Sequence, residues 1–308
     1  MSARSALVVG PRGLVGHGIA AALVSDGWQV LGKGKDGKYK AIIRNQVGMS
    51  FELIEDTPML ASEGIHVLVL AADLFPGFGS SYRSLKRFYE NLLSDLIRLG
   101  LQHVCLISSA SVYGEMGLNN RALESDPLLA ESAYGKFKAV EEALVFELCE
   151  SLGVSLMIAR GSSVFGSCPK SEFSRGLVGS ISYALVKDVP FHLTTSLSTT
   201  RDFINNEYFG GVIRHLLSHD LAGILNIGGD PFSVRELIDV LEISTQKKLH
   251  INQDLERNHA SHCVLDCKRL RNILEKNDYP VVPTAVQLTE YQKGKLSTSS
   301  NLLKGEIS

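Results

Sequence analysis

A short apolar run at residues 6–9 is followed at once by Gly10, Gly13 and Gly16, and then by apolar residues at helical spacing over 14–24. No other feature constrains the chain as much. A strand that runs into a helix through a glycine-rich turn opens a β-α-β unit. Gly10 permits the tight turn, Gly13 lets the backbone approach a phosphate, and Gly16 lets the helix close onto the sheet. The helix N-terminus, where Leu14 and Val15 stand, offers N–H groups and a partial positive charge to an anion. Isolated from its surroundings, the same turn is also an ordinary strand-to-helix connection. Its place after the first strand favours a dinucleotide site.

The pattern continues as the opening suggests. Residues 28–31, 67–70, 104–107 and 154–158 read as strands, and 85–99 and 133–152 as helices. Strands alternating with helices predict an α/β fold with a doubly wound parallel sheet. A dinucleotide-binding domain is expected over 1–160, completed by later segments. A smaller substrate-binding lobe is expected over 161–292, with a helix at 177–186. From 293 the chain is rich in Ser, Lys and Asn and is expected to be a mobile tail.

Composition narrows the functional classes. With 308 residues, 44% of them apolar, the chain can bury a large core. A formal charge of −2 gives no electrostatic case for nucleic acid or a membrane surface. The longest apolar run, 65–72, is too short to span a bilayer, and the first residues carry no secretory pattern. Five scattered cysteines fit reduced thiols and a cytoplasmic location. Cys263 and Cys267 stand four apart without a second pair or a suitably spaced histidine, so no metal site is expected.

The second strand bears on the choice of dinucleotide. An NAD site places a carboxylate near its end, on the adenosine ribose. Here Gly34 stands at that point, flanked by Lys33 and Lys35, and Arg12 lies within the glycine turn. Cations without the acid suit a 2′-phosphate, so NADP(H) is favoured. Asp36 is adjacent and keeps NAD(H) open.

A Tyr-x-x-x-Lys pair occurs four times, at Tyr82/Lys86, Tyr134/Lys138, Tyr183/Lys187 and Tyr291/Lys295. Position selects the second. Tyr134 and Lys138 share one face of a long predicted helix, and Tyr134 follows Ser109 by 25 residues. Ser109 ends a buried-strand pattern at the edge where ligands bind in open α/β sheets. The chemistry needs a proton donor near neutral pH, and a free tyrosine titrates near 10. The Lys138 ammonium is expected to lower that value. Ser109 would hydrogen-bond a substrate oxygen, and Tyr134 would exchange the proton with it.

Taken together these residues resemble the extended short-chain dehydrogenase/reductase family, in its NAD-dependent epimerase/dehydratase branch acting on nucleotide sugars. The likeness extends to Ala71-Ala72 after the fourth strand, Asn91 on the next helix, the 160–166 segment, Arg201-Asp202-Phe203-Ile204 and Asn226-Ile227-Gly228-Gly229. It implies that Ala71, Ala72, Asn91, Ser108 and Arg160 lie beside the cofactor. It also implies that Ser111, Ser163 and Arg201 face the substrate, Arg201 toward its phosphates. A salt bridge to Asp202 is the alternative role for Arg201.

Departures from the family pattern shape the expected activity. Family dehydratases carry an acidic pair where this chain has Ala110 and Ser111, which argues against elimination of water. The turn Gly-x-Arg-Gly-x-Val-Gly is similar to that of NADPH-dependent epimerase/reductases, which carry a cysteine at the position of Ala110. Ser163 and Phe165 replace a family asparagine and tyrosine. The resemblance thus implies a reductase of a keto group on a nucleotide-linked sugar, of the 4-keto-6-deoxyhexose type. A sugar epimerase with tightly held cofactor and a non-catalytic dinucleotide sensor remain the alternatives. The family often pairs through helices such as 85–99 and 140–152, so a homodimer stands beside a monomer.

Overall fold

The computed structural model describes residues 4–34, 39–45, 48–53, 64–75, 81–117, 119–167, 173, 176–253 and 262–305. The first half runs β1 (Ser5–Val9), α1 (Leu14–Ser25), β2 (Gln29–Lys33), β3 (Tyr39–Asn45), β4 (Gly48–Leu53), β5 (Val67–Leu70), α2 (Tyr82–Ile97), β6 (His103–Ser109), a 3-10 turn (Ala110–Tyr113), α3 (Ala133–Leu152) and β7 (Ser155–Gly161). The second half runs β8 (Ser163–Phe165), α4 (Leu177–Lys187), β9 (Phe191–Leu193), β10 (Thr200–Asn205), α5 (Asn206–Ser218), β11 (Gly223–Ile227), β12 (Pro231–Ser233), α6 (Val234–Thr245), β13 (Ile251–Gln253), β14 (His262–Cys263), α7 (Lys268–Lys276) and α8 (Thr284–Gly305).

β1 and β5 are buried along their whole lengths, because helices cover both faces of the sheet they share. That sheet has eight strands in the order β11-β7-β6-β5-β1-β2-β3-β4. Its order reverses between β1 and β5, which opens a crevice at their carboxyl ends. On one face α1, α5 and α7 pack through residues such as Ile19, Leu23, Phe209, Leu216 and Leu270. On the other, α2 and α3 bury Leu85, Tyr89, Leu93, Leu96, Leu144 and Val145. A leucine buried this fully contributes about 2 kcal/mol.

A separate core forms the lobe. It gathers Val178 and Ile181 of α4, Phe203 of β10, Leu237 and Leu241 of α6, and Leu288 of α8. β12, β10 and β14 make its small sheet, with β8 paired to β10.

Three expectations need correction. The sheet is not wholly parallel: β3 and β4 form an antiparallel hairpin on its β2 edge. Neither strand stands out as a separate apolar run, and Ala71-Ala72 consequently follows the fifth strand, not the fourth. The second strand also extends to Lys33, beyond the expected end at residue 31. Finally, the tail from 293 continues α8 to Gly305. Lys295 is buried there and donates to the Ser167 hydroxyl at 2.8 Å. Its polar composition concealed a helix with one side against the lobe.

Candidate active site at the carboxyl edge of the sheet

The carboxyl ends of β1, β5 and β6 bring the glycine turn, Ala71-Ala72 and Ser109 to one edge. Gly10 has φ +87°, a conformation that side chains resist. A β-carbon on Gly10 would also lie 2.8 Å from the Ala72 Cα. At Gly16 a β-carbon would lie 2.2 Å from the Gly10 carbonyl oxygen, so α1 approaches the turn as closely as backbone allows. Gly13 is the N-cap of α1 and brings no side chain to it. Leu14 and Val15 stand in the first turn that follows. This glycine-lined turn at a helix N-terminus fits a dinucleotide pyrophosphate. Asn206, at the start of α5, secures it from behind by donating to the carbonyls of Leu14 at 3.0 Å and Ser167 at 2.8 Å.

The cations read from the sequence are placed as follows. Arg12 is exposed on the turn. Lys33 closes β2, with its ammonium 4.0 Å from the centre of the Tyr39 ring. Gly34 follows and is exposed. Lys35 lies outside the described residues.

Ser109 ends β6 and caps the 3-10 turn. Its Oγ accepts from the Ser111 backbone N–H at 3.2 Å and from the Ser111 hydroxyl at 2.9 Å. Both bonds occupy its lone pairs, which leaves its own proton to donate outward. α3 starts against this turn: a β-carbon on Gly135 would lie 2.4 Å from the Ser111 carbonyl oxygen. The Ser132 hydroxyl caps α3 by accepting from the Gly135 N–H at 3.0 Å. Tyr134, in the first turn of α3, is thereby carried to the Ser109–Ser111 turn. Phe75 meets its ring edge-on at 6.2 Å, and the residue keeps 37% of its surface exposed.

Lys138 lies one turn further on and is buried. Its ammonium donates to Glu141, whose other carboxylate oxygen accepts from the Tyr89 hydroxyl on α2. The pairing bears on the expected acidification of the phenol. Burial pushes Tyr134 up to about 12, with the charges of Asp73 and Glu141 adding to the rise. The ammonium expected to acidify the phenol is paired with a carboxylate of its own.

Arg160 and Ser108, expected beside the cofactor, both bond to Glu142. The Arg160 guanidinium donates to Glu142 at 2.8 and 3.1 Å, and to the Tyr113 hydroxyl at 2.8 Å. Ser108 donates to the same carboxylate. The Tyr113 hydroxyl donates to the Asn226 side-chain oxygen at 2.7 Å. β6, β7, β11, α3 and the 3-10 turn are thus stitched together by one buried polar network. Asn91 is exposed on α2, beside Arg83, Ser84 and Arg87, off the stripe that carries Tyr89 toward the sheet.

Of the expected substrate contacts, Ser111 lies on the 3-10 turn beside Ser109, and Ser163 and Arg201 lie in the lobe. Ser163 is on β8 opposite Phe203, and Arg201 is on β10 opposite Cys263 and Phe232. Asp202 beside it is almost wholly buried, and that burial pushes its carboxyl up to about 7.

Sequence reasoning misses Tyr89, Tyr113, Glu141, Glu142 and Asn226 as parts of the site. The acids leave one signal in the sequence: they stand three and four residues after Lys138, on its own helix face. Tyr89 leaves none.

Chemically, the edge combines an anion cradle, an oriented hydroxyl donor and a protonated phenol. Among the described residues no group of His, Cys, Asp or Glu is placed to hold a metal ion, and no helix is long and apolar enough to cross a membrane.

Comparison with known proteins gives the family and the fold. The model of the NAD dependent epimerase/dehydratase family matches residues 6–228. Among solved structures, UDP-glucose 4-epimerase of Thermus thermophilus, in complex with NAD, is similar with a TM-score of 0.72 at 18% identity, covering 94% of this chain and 98% of that one. The dTDP-glucose 4,6-dehydratase of Bacillus anthracis, also with NAD, gives 0.73 at 16%, covering 94% and 96%. UDP-N-acetylglucosamine 4-epimerase of Methanobrevibacter ruminantium gives 0.73 at 20%, covering 97% and 100%. No curated protein matches the chain.

Proposed function

The chain belongs to the NAD dependent epimerase/dehydratase family, and from that membership we propose that it is an NADP(H)-dependent reductase of a keto group on a nucleotide-linked sugar, of the 4-keto-6-deoxyhexose type. The observation that carries this reading is the first turn of α3, which bears Tyr134, packed against the Ser109–Ser111 turn. A group that keeps its proton through neutral pH is a donor, and reduction of a carbonyl needs a donor. Ala110 and Ser111, in place of an acidic pair, support reduction over elimination.

The cradle of Gly10, Gly13 and Gly16 would hold the cofactor's pyrophosphate, with Ala71 and Ala72 beside it. The reduced nicotinamide supplies a hydride when bound. Ser109 donates a hydrogen bond to the carbonyl oxygen and stabilises the negative charge that develops there. Tyr134 transfers its proton to the same oxygen, and its exposed rim lets it recover a proton from water. Lys138, fixed by Glu141, holds its place on the same helix face. Arg201 and Ser163 are proposed to face the nucleotide-sugar end of the substrate.

Arg12 on the turn, Lys33 at the strand end and Gly34 in place of an acid support NADP(H). The test is loss of NADPH absorbance with a panel of 4-keto sugar nucleotides. Turnover preferring NADPH, abolished in Tyr134→Phe, is expected. Turnover unchanged in that variant would sink the mechanism.

A sugar epimerase is the second reading, supported by the 4-epimerases among the similar folds. It expects dinucleotide that stays bound through purification and appears on denaturation. Exposed Val140 and Phe146 on α3, with Tyr82 on α2, support a homodimer in either case.

A further inference from the structure

Thr284, Gln287, Leu288, Tyr291, Gln292 and Lys295 of α8 are buried. They stand at i, i+3, i+4, i+7, i+8 and i+11, the spacing of one helix stripe. Three of its polar members grip the ends of β8 and β10. The Thr284 hydroxyl donates to the Phe203 carbonyl at 2.9 Å, and the Gln287 side-chain oxygen accepts from the Asn205 N–H at 2.8 Å. The Lys295 ammonium donates to the Ser167 hydroxyl at 2.8 Å. It lies 5.2 Å from the centre of the Tyr291 ring and 5.5 Å from that of Phe173, within the range of attraction to a ring face. Ser167 passes the connection on. Its carbonyl accepts from the Asn206 amide nitrogen at 2.8 Å, and the same nitrogen donates to the Leu14 carbonyl at 3.0 Å, in the first turn of α1. The joint has little slack. A β-carbon on Gly166 would lie 1.9 Å from the Asn206 side-chain oxygen, and one on Gly18 would lie 2.0 Å from the Asn206 carbonyl oxygen.

We propose that Lys295 is a positioning residue for the dinucleotide: through Ser167 and Asn206 it fixes the first turn of α1, and so couples the docking of α8 to the binding of a pyrophosphate at the glycine turn. The inference rests on the dinucleotide part of the proposed function and is independent of which carbonyl is reduced. An anion held by backbone N–H groups follows every shift of that backbone, because no flexible side chain can reach after it. A helix that sets where α1 begins therefore sets how well the anion is held. The coupling runs both ways, so a bound dinucleotide strengthens the docking of α8 by the same factor.

The test is dinucleotide affinity, read by fluorescence titration with NADPH and separately with NADH, beside thermal unfolding of each protein. Lys295→Met keeps an apolar stem and removes the donor. Ser167→Ala removes the hydroxyl and leaves the carbonyl that Asn206 uses. Each should weaken binding by about fivefold or more, the low end of ordinary coupling between sites. Lys295→Met/Ser167→Ala should bind no more weakly than the weaker single variant, because both changes break one bond. Unchanged affinity in the single variants, or losses that add in the double variant, overturns the proposal. A Lys295→Met protein that unfolds at lower temperature but binds as tightly as the wild type marks a structural residue only, and overturns it too. Should Lys295→Met fail to fold, Ser167→Ala, the milder change, decides. A wild type that prefers NADH sinks the NADPH reading and leaves the coupling to be read with NADH. A wild type that binds neither overturns both.

Discussion

The Ser111 hydroxyl donates to the Oγ of Ser109 at 2.9 Å. Because the Ser111 N–H donates to the same atom, Ser109 is an acceptor toward its own turn and a donor toward the crevice. Ser109→Ala should reduce turnover about a hundredfold, the effect of removing one oxyanion donor. Ser111→Ala should cost about tenfold by loosening the serine. The double variant should be no worse than Ser109→Ala, because residues that act as a unit are not additive. NADPH consumption by the three variants checks this, and additive losses would contradict it.

Arg160 and Glu142 form a buried ion pair, with side chains 4% and 5% exposed. Removing one partner leaves a charge without a counter-ion in a low-dielectric interior. Arg160→Met should destabilise the fold by about 3–5 kcal/mol. Arg160→Met/Glu142→Gln should recover most of that loss. Thermal or denaturant unfolding of the two variants measures it, and a single variant as stable as the double would refute it.

Asp202 makes stability depend on pH in an unusual direction. Folded, its carboxyl releases its proton at about 7, against an ordinary value of 3.8. Between those values the folded state binds more protons than the unfolded state. The contribution of this group is complete on the acid side, declines by up to about 1.4 kcal/mol per pH unit as pH rises, and levels off above neutrality. Asp202→Asn should flatten that slope. Unfolding curves of both proteins between pH 4 and 8, on the order of one pH unit apart, compare them directly; identical slopes would exclude the effect.

Gly16→Ala places a methyl group 2.2 Å from the Gly10 carbonyl oxygen, a clash of backbone with no flexible partner. The turn or the helix must move, and the cradle with it. Dinucleotide affinity should fall at least about tenfold, as expected when a positioned site shifts by about 1 Å. Fluorescence titration with NADPH measures the loss. Affinity equal to the wild type would show that the turn does not hold the cofactor.

The order of strands and helices in the first half was legible in the sequence because each element carries its own period. α3 appears at residues 133–152, as its apolar spacing predicts. The four-residue run of β5 was equally plain, since a strand buried on both faces is apolar at every position. The β3–β4 hairpin lacked such a signature, and no element was expected over its residues. The helical end of α8 was hidden for the opposite reason: a polar sequence forms a helix when one side is anchored, and Lys295 supplies an anchor.

Spacing alone determined that Gly10, Gly13 and Gly16 would form a turn before a helix, and that Tyr134 and Lys138 would share a face. Those are local matters, governed by backbone sterics and helical pitch. Only tertiary structure decided what surrounds each charge. Arg160 and Ser108 are drawn to Glu142, and Lys138 to Glu141, by contacts that include partners from separate strands and helices. Tyr89, 52 positions from Glu141 in the chain, completes the second group. A proton's affinity for Tyr134 depends on burial and on the charges of Asp73 after β5 and Glu141 on α3, and no window of sequence contains that sum.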